Sequence, residues 1–281
     1  MALHAAILQL NASDDPVANL PVTLGYLRDA AAQGAQIVLT PEVTNCVSAS
    51  RSHQKEVLQA EADDITLAAL RKAAQEHGIW VLIGSLALKT DDPDGRFANR
   101  SFLIDPQGQI AARYDKIHMF DVQISETETY RESAGFRPGE RAVLARTPLG
   151  ALGLSICYDL RFAYLYRALA QAGAQMLTIP AAFSPLTGAA HWQTLLRARA
   201  IETGCYVLAP AQTGQHAASK GRARRSHGHA MVVAPWGEVV LDMGTEAGLG
   251  MVTLDLDKVA EARARVPALS HDRSFTGPGA A

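Results

Sequence analysis

Short apolar runs alternate with segments of helical periodicity along most of this chain, and this alternation restricts its fold more than any other sequence feature. Gly34 and Gly78 end the two helical segments of the first half, as glycine often does at a helix C-terminus. The first half predicts strands at 3–10, 37–40 and 79–88 and helices at 16–32 and 63–77. Strands and helices in alternation predict a layered α/β domain.

The rest of the chain continues the same alternation. Turn signals at 91–96 (DDPDGR) and 105–108 (DPQG) indicate hairpins that add antiparallel strands. The second half predicts strands at 150–156, 174–181 and 205–212, helices at 160–173 and 191–204, and a closing hairpin at 229–244. No composition shift marks a linker, so we expect a single domain over 1–265 and a C-terminal tail over 266–281. The basic loop at 213–228 and the Gly/Pro segment at 270–281 are expected to be solvated and mobile.

Composition limits the classes of function. With 281 residues, of which 48% are hydrophobic and 19% charged, the chain can build a sizeable core. A formal net charge of −2 gives no electrostatic case for a nucleic acid or a membrane as partner, and favours a small-molecule substrate. The three cysteines show no CxxC spacing, which argues against a disulfide framework and a structural zinc site. No targeting segment or membrane-spanning run is visible, so we expect a cytoplasmic protein.

Cys157 stands where an apolar run, GLSI, ends and a helix is predicted to begin. The unpaired N–H groups at a helix start lower a thiol pKa and can bind an oxyanion. A cysteine is also among the most buried residue types, so a structural thiol is the commoner reason for a cysteine at such a position. Cys157 is therefore a candidate nucleophile that needs partners.

Glu42 and Lys116 also follow strand-like runs. Glu42 comes directly after IVLTP, where a charge is costly unless it has a partner or a task, although it could also pair locally in a loop. Lys116 ends ARYDK, where a desolvated ammonium could stabilise an oxyanion, although a surface lysine is the simpler interpretation. No histidine occurs in a comparable setting, so a carboxylate is the candidate base for the thiol.

Together the segments TPE, YDKIHMFD and ICYDLRF resemble the signatures of the nitrilase, or carbon–nitrogen hydrolase, superfamily. The resemblance covers residues 3–265 and implies one carbon–nitrogen hydrolase domain, a four-layer α-β-β-α sandwich. It carries the family's triad onto Glu42, Lys116 and Cys157. It also carries a fourth residue, which helps to hold the lysine and the substrate, onto Glu132 in RESAGFRPGE; a loop carboxylate paired with an arginine is the alternative.

The resemblance also implies a reaction, in which an amide C–N bond is hydrolysed through a cysteine thioester with release of ammonia. Glu42 would take the thiol proton as Cys157 attacks, and Lys116 and the backbone N–H of Tyr158 would stabilise the oxyanion. A carboxylate that acts as base, acid and base again requires a pKa raised toward neutrality by burial. No metal or organic cofactor is implied.

The segment from TIPAAFSPLTG to GHAMVVAPWGEVV resembles the Nit subgroup, and within it the amidases of deaminated glutathione. Substrates of this subgroup carry carboxylates, which require cationic or hydrogen-bonding partners. Arg161 and Thr187 match positions that the subgroup uses for this purpose, and Phe183 would form a wall of the pocket; a helix-surface arginine is the alternative for Arg161. The loop at 217–227 departs from the commoner pattern, and this leaves the fine substrate preference open.

Other functions remain open at this point. Within the superfamily these are ω-amidase activity on 2-oxoglutaramate, nitrile hydrolysis and N-carbamoyl hydrolysis. A binding module that has the fold but no catalysis is a further alternative, against which the complete set of Glu42, Lys116 and Cys157 argues. Members of the superfamily commonly associate, so a homodimer or higher homo-oligomer is expected.

Overall fold

A computed structural model describes residues 2–126 and 128–278. Within these residues the chain forms sixteen strands, numbered in chain order. They are β1 Ala2–Leu10, β2 Ile37–Leu39, β3 Trp80–Leu88, β4 Ala98–Ile104, β5 Ile110–Asp115, β6 Asp121–Gln123, β7 Thr129–Arg131, β8 Val143–Thr147, β9 Gly150–Leu154, β10 Met176–Thr178, β11 Tyr206–Ala209, β12 Ala211–Gln215, β13 Arg225–His227, β14 Met231–Val233, β15 Val239–Asp242 and β16 Gly248–Asp255.

Six α-helices and three short 3-10 helices connect these strands within the described residues. The α-helices are α1 Pro16–Ala32, α2 Arg51–Val57, α3 Ile65–His77, α4 Ala163–Gln171, α5 Pro185–Thr203 and α6 Asp257–Arg265. The 3-10 helices are Glu132–Ala134, Cys157–Arg161 and Ala268–Ser270. None of the described helices is both long enough and apolar enough to cross a membrane.

The strands form two large sheets and one two-stranded hairpin, β6-β7. The eight-stranded sheet has the order β13-β12-β1-β2-β3-β4-β5, and β16 pairs antiparallel with β1. The six-stranded sheet has the order β15-β14-β11-β10-β9-β8. In each sheet the central strands, β1-β2-β3 and β9-β10-β11, run parallel, and most of the outer strands are antiparallel. Functional groups at the carboxyl ends of these parallel strands therefore lie along one edge of each sheet.

Strand β1 shows how the layers are arranged, because both of its faces are buried. Leu8 belongs to an apolar cluster that includes Leu27 of α1 and Leu70 of α3. Ile7, on the opposite face, belongs to a second cluster that includes Leu152 of the six-stranded sheet. Helices α4 and α5 pack against β9 and β11 of that sheet. The result is a four-layer α-β-β-α sandwich, as the sequence predicted.

A bulge in β3 lies beside the turn that carries Glu42. The pairing of β3 with β4 shifts between Ile83 and Leu86, yet both residues face the helix-side cluster. The two intervening residues, Gly84 and Ser85, face the turn after β2. Gly84 lies so close to this turn that a Cβ would overlap the carbonyl oxygen of Thr40, and the Ser85 hydroxyl accepts from Val43 N–H at 2.8 Å. The bulge thus fixes the position of the turn.

Most predicted elements form near their expected bounds, and two helices differ. Helix α1 has the predicted bounds, with Asp15 as its N-cap. Helix α5 begins at Pro185, six residues before the predicted start at His191, because an extended Ser184 and a proline in the first turn start it earlier. The helix predicted at 160–173 is divided at Phe162 into the 3-10 helix that starts at Cys157 and α4.

The prediction of a basic loop at 213–228 is wrong in part, because strands β12 and β13 occupy the two ends of this segment and pair with each other. Helices α2 and α6 and strands β6, β7, β8 and β16 were not predicted. The sequence of β16, GLGMVTLD, contains two glycines and does not alternate clearly, so it carries a weak strand signal.

Candidate active site

Three strand ends bring Glu42, Lys116 and Cys157 together. Glu42 lies in the turn after β2, Lys116 directly follows β5, and Cys157 follows β9. Their exposed fractions are 5%, 2% and 8% respectively. Lys116 Nζ lies 2.9 Å from Glu42 Oε1, and the Cys157 thiol donates a hydrogen bond to the Glu42 carboxylate. The three predicted residues therefore form one buried cluster between the two sheets.

The Glu42 carboxylate is held by groups from three other segments. Asn99 Nδ2 of β4 donates to Oε1 at 2.9 Å, and the backbone N–H of Ala182 donates to Oε2 at 2.8 Å. Gln212 Nε2 of β12 donates to the Glu42 carbonyl oxygen at 3.0 Å. The next residue, Val43, has a φ of 48°, a left-handed conformation that is strained for a β-branched residue. These contacts fix both carboxylate oxygens before any substrate arrives.

Glu132 is the second carboxylate on Lys116. Both of its oxygens lie 2.9 Å from Lys116 Nζ, and Oε2 accepts from Phe120 N–H at 2.6 Å. Asn99 Nδ2 lies 3.3 Å from Glu132 Oε1, so one amide group joins the two carboxylates. The alternative interpretation of Glu132, a loop carboxylate paired with an arginine, does not describe these contacts. Asn99 was missed because a single asparagine in the strand-like run NRSFLI gives no functional signal.

The backbone at Cys157 is arranged so that the next N–H group is free. Cys157 begins a 3-10 helix with a φ of 50°, in the left-handed region, and its own N–H donates to Pro180 O at 2.9 Å. The N–H of Tyr158 finds no acceptor among residues 2–126 and 128–278. An unpaired N–H next to the thiol is what an oxyanion-binding role requires.

Asp159, which the sequence argument did not consider, connects the Cys157 turn to the Lys116 segment. It is fully buried and accepts from Ile156 N–H at 2.8 Å and from the Tyr114 hydroxyl at 2.6 Å. It also accepts from the backbone N–H of His118 at 3.0 Å, and His118 Nδ1 lies 2.6 Å from the same oxygen. Since Tyr114 and His118 flank Lys116, Asp159 fixes the thiol relative to the ammonium.

The charges of the cluster determine its protonation. Burial opposes ionisation of Glu42, but the Lys116 ammonium outweighs it and holds the pKa of this carboxyl below its usual value. The expectation that burial raises the pKa of Glu42 toward neutrality is therefore wrong for the free site. Burial opposes a charge on Lys116 as well, but Glu132 and Glu42 raise its pKa well above the usual value. Burial and the charge of Glu42 raise the pKa of Cys157, so the free enzyme holds a neutral thiol beside an ionised carboxylate.

A cavity of about 720 Å³ opens onto this cluster. Phe183 and Thr187 line it as predicted, together with Tyr158, whereas Arg161 is absent from the described lining residues. The guanidinium of Arg161 instead lies over the rings of Tyr158 and Phe183, at 5.9 and 5.7 Å from their centroids. Arg161 thus packs against two aromatic residues of the cavity wall, and its contact with a substrate carboxylate stays a prediction.

Two hydroxyl groups of the cavity lining could form hydrogen bonds with a ligand. The side-chain oxygens of Ser184 and Thr187 are buried and have no hydrogen-bond partner among residues 2–126 and 128–278. A buried hydroxyl without a partner is unfavourable, and a substrate oxygen could satisfy it. Sequence reasoning missed Ser184, which looks like an ordinary residue before a proline. Among the same described residues no group of three or more His, Cys, Asp or Glu side chains could hold a metal ion.

Comparisons with known proteins find relatives that match most of this chain. Residues 4–264 match the sequence model of the Carbon-nitrogen hydrolase family. A deaminated glutathione amidase of Yersinia enterocolitica is 37% identical over 271 residues, which are 96% of this chain and 93% of the relative. One from Synechocystis sp. is 39% identical over 269 residues, 95% and 97% of the two chains. The crystal structure of Saccharomyces cerevisiae Nit3, a member of the nitrilase superfamily, has a TM-score of 0.84 at 26% identity and covers 98% of this chain and 97% of its own.

Proposed function

The chain belongs to the carbon–nitrogen hydrolase family of the nitrilase superfamily and is an amide hydrolase, and on that premise we propose that its substrate is deaminated glutathione. The observation that carries the proposed chemistry is the buried contact of Lys116 with Glu42, beside the thiol of Cys157. The names of the relatives support the substrate.

The first step is attack by the thiol on the amide carbonyl carbon. Because the pKa of Cys157 is raised, a free thiolate is scarce, and the proton passes to the ionised Glu42 as the S–C bond forms. Ionisation of Glu42 in the free site makes this carboxylate available as a base across the neutral range. Hydrogen bonds from Asn99 and Ala182 keep it aimed at the sulfur.

The carbonyl oxygen becomes negative as the tetrahedral intermediate forms. Lys116 supplies a permanently charged ammonium, and the unpaired N–H of Tyr158 supplies a second donor. Glu132 holds Lys116 through both of its oxygens, so the ammonium needs no reorientation during the reaction. Donors fixed in advance are worth more in such a buried site than they would be in water.

Collapse of the intermediate breaks the C–N bond and leaves a thioester on Cys157. The amine leaves with the proton that Glu42 took from the thiol. Water then attacks the thioester carbon, Glu42 accepts one of its protons, and that proton returns to the departing sulfur. The acid product leaves and the free thiol is restored, so the cycle needs no reactant other than the amide and water.

The substrate determines the leaving group. Deaminated glutathione is an amide of 2-oxoglutarate with cysteinylglycine, so hydrolysis releases this dipeptide. The ammonia expected from the sequence argument belongs instead to a primary amide such as 2-oxoglutaramate. The cavity of about 720 Å³ has room for the larger substrate. Both substrates yield 2-oxoglutarate, which allows one assay to compare them.

The test is a comparison of kcat/KM for the two amides, measured as 2-oxoglutarate formed. We expect deaminated glutathione to be preferred by at least about tenfold, because the larger amide makes contacts that the smaller one lacks. A Cys157→Ala variant serves as the control and should form no 2-oxoglutarate from either substrate. Equal or reversed kcat/KM values would contradict the substrate, and an active Cys157→Ala variant would contradict the nucleophile.

A further inference from the structure

The rim of the cavity carries an excess of positive charge. We define the rim loop as residues 219–224, which lie between β12 and β13. Arg222 and Arg224 of this loop, and Arg225 at the start of β13, line the same cavity as Cys157. Among residues 2–126 and 128–278, no carboxylate oxygen lies within 4.0 Å of any of their guanidinium groups. These three cations therefore face the cavity without a partner from the described chain.

The loop is fastened to the body of the protein through groups other than the guanidinium groups of these arginines. The backbone N–H and the hydroxyl of Ser219 both donate to Asp14 Oδ2, at 2.7 and 2.9 Å. Lys220 Nζ pairs with Glu56 of α2 at 2.6 Å. The carbonyl oxygen of Arg224 accepts from His216 N–H at 2.9 Å. The loop predicted to be mobile is thus held at Ser219 and at the backbone of Arg224, whereas the Lys220–Glu56 pair, with both side chains about half exposed, adds little to this fastening.

Tyr130 belongs to the wall of the cavity that these arginines also line. This residue lines the cavity, and its hydroxyl donates to Glu128 Oε1 at 2.5 Å. Burial raises the pKa of Tyr130 to about 12, while the nearby charges of Arg224 and Arg222 oppose the rise. Tyr130, Arg222 and Arg224 all line the cavity, and both guanidinium charges act on the Tyr130 hydroxyl. Glu128 lines the same cavity, and its carboxylate already accepts the hydrogen bond from Tyr130.

On the premise of the proposed function, we infer that Arg222 and Arg224 bind the carboxylate of the leaving group, the glycine end of cysteinylglycine. The acyl part remains on Cys157 as a thioester, so it belongs with the buried hydroxyls of Ser184 and Thr187. The leaving group must depart past the rim while the thioester persists. Its carboxylate is the anion that reaches an exposed cationic rim, and a guanidinium can bind it through two parallel hydrogen bonds.

The experiment uses an Arg222→Gln/Arg224→Gln double variant and measures kcat/KM on both amides. We expect a loss of about tenfold or more on deaminated glutathione. We expect a change of less than about twofold on 2-oxoglutaramate, whose leaving group carries no carboxylate. A Lys220→Gln variant is the matched control, because it removes a positive charge from the same loop at a side chain that pairs with Glu56. It should keep the wild-type kcat/KM on both amides.

A second comparison uses the wild-type enzyme with deaminated glutathione whose terminal carboxylate is converted to a carboxamide. This change should cost about as much as the double variant, and the two changes together should cost little more than either alone. General charge attraction would explain the data, and the inference would be overturned, if the double variant lost kcat/KM equally on both amides. The same holds if Lys220→Gln lost as much kcat/KM as the double variant. A double variant that keeps its kcat/KM on deaminated glutathione would overturn the inference but not the proposed substrate. A wild type that hydrolyses 2-oxoglutaramate but not deaminated glutathione would refute the proposed substrate and the inference together.

Discussion

Replacing Gly84 by alanine is the change that tests most directly how the active site is held in place. A Cβ on Gly84 would overlap the carbonyl oxygen of Thr40 and lie 2.6 Å from the carbonyl oxygen of Pro41 and 2.5 Å from Pro180 Cβ. Ordinary van der Waals contact begins at 3.4 Å, so the Pro41 oxygen would have to move by about 0.8 Å. These atoms belong to the turns that carry Glu42 and precede Ala182, and none of them is the end of a flexible side chain.

Two magnitudes follow from this overlap. Extra methyl groups in a well-packed core destabilise proteins by about 1–3 kcal/mol, and the upper end applies because backbone atoms must move. A displacement near 1 Å at a catalytic group reduces the rate by about a hundredfold, so we expect a loss of this order in kcat/KM. Urea denaturation gives the free energy of unfolding, and 2-oxoglutarate formation gives the rate.

The matched control is Gly25→Ala. Gly25 lies inside α1 with no atom within 4 Å of an added Cβ, so alanine should stabilise the protein by roughly 0.5–1 kcal/mol and leave kcat/KM unchanged. If Gly84→Ala matched the wild type in both stability and rate, the contact between the β3 bulge and the Glu42 turn would have no role in positioning the site.

Two further predictions follow from the charges of the site. Lys116 holds the pKa of Glu42 below its usual 4.5, so the carboxylate stays ionised as the pH falls. We therefore expect kcat/KM to be constant from about pH 5.5 to 8. A fall in kcat/KM between about pH 7 and 6, measured on the folded enzyme, would contradict this assignment. Asp159→Asn replaces an acceptor of several hydrogen bonds by a group that is half donor, and should lower the free energy of unfolding by about 1.5–3 kcal/mol. It should also lower kcat more than it changes KM, because Asp159 positions Cys157 and does not line the described cavity; a change in KM alone would contradict a positioning role.

Sequence patterns predict local elements of this fold well and long-range contacts poorly. Helix α1 follows from Asp15, Pro16 and the apolar spacing, all within one short segment. Strand β16 has little local signal, and it forms because the distant β1 offers eight paired positions. Tertiary contacts thus determine strands that the local sequence leaves open.

The candidate site shows the same division. Glu42, Lys116 and Cys157 each end a recognisable strand-like run, and the structure brings their side chains into one cluster. Asn99 and Asp159 escaped notice because their importance comes from partners far along the chain. The substrate-binding role of Arg161 stays a prediction, since a helix start offers several directions for a side chain and the sequence does not select one. The lowered pKa of Glu42 likewise depends on a lysine from another strand.

The pairing of β16 with β1 has a consequence for the order of events during synthesis. Strand β1 emerges early from the ribosome. Strand β16, which pairs with it from Ala2↔Asp255 to Gln9↔Gly248, emerges only after every segment that supplies the proposed active site. Until then β1 leaves one edge largely unpaired, and such an edge is prone to wrong pairings. Nascent chains of this protein should therefore depend on chaperone protection until this strand is complete, although Glu42, Lys116 and Cys157 have already been translated.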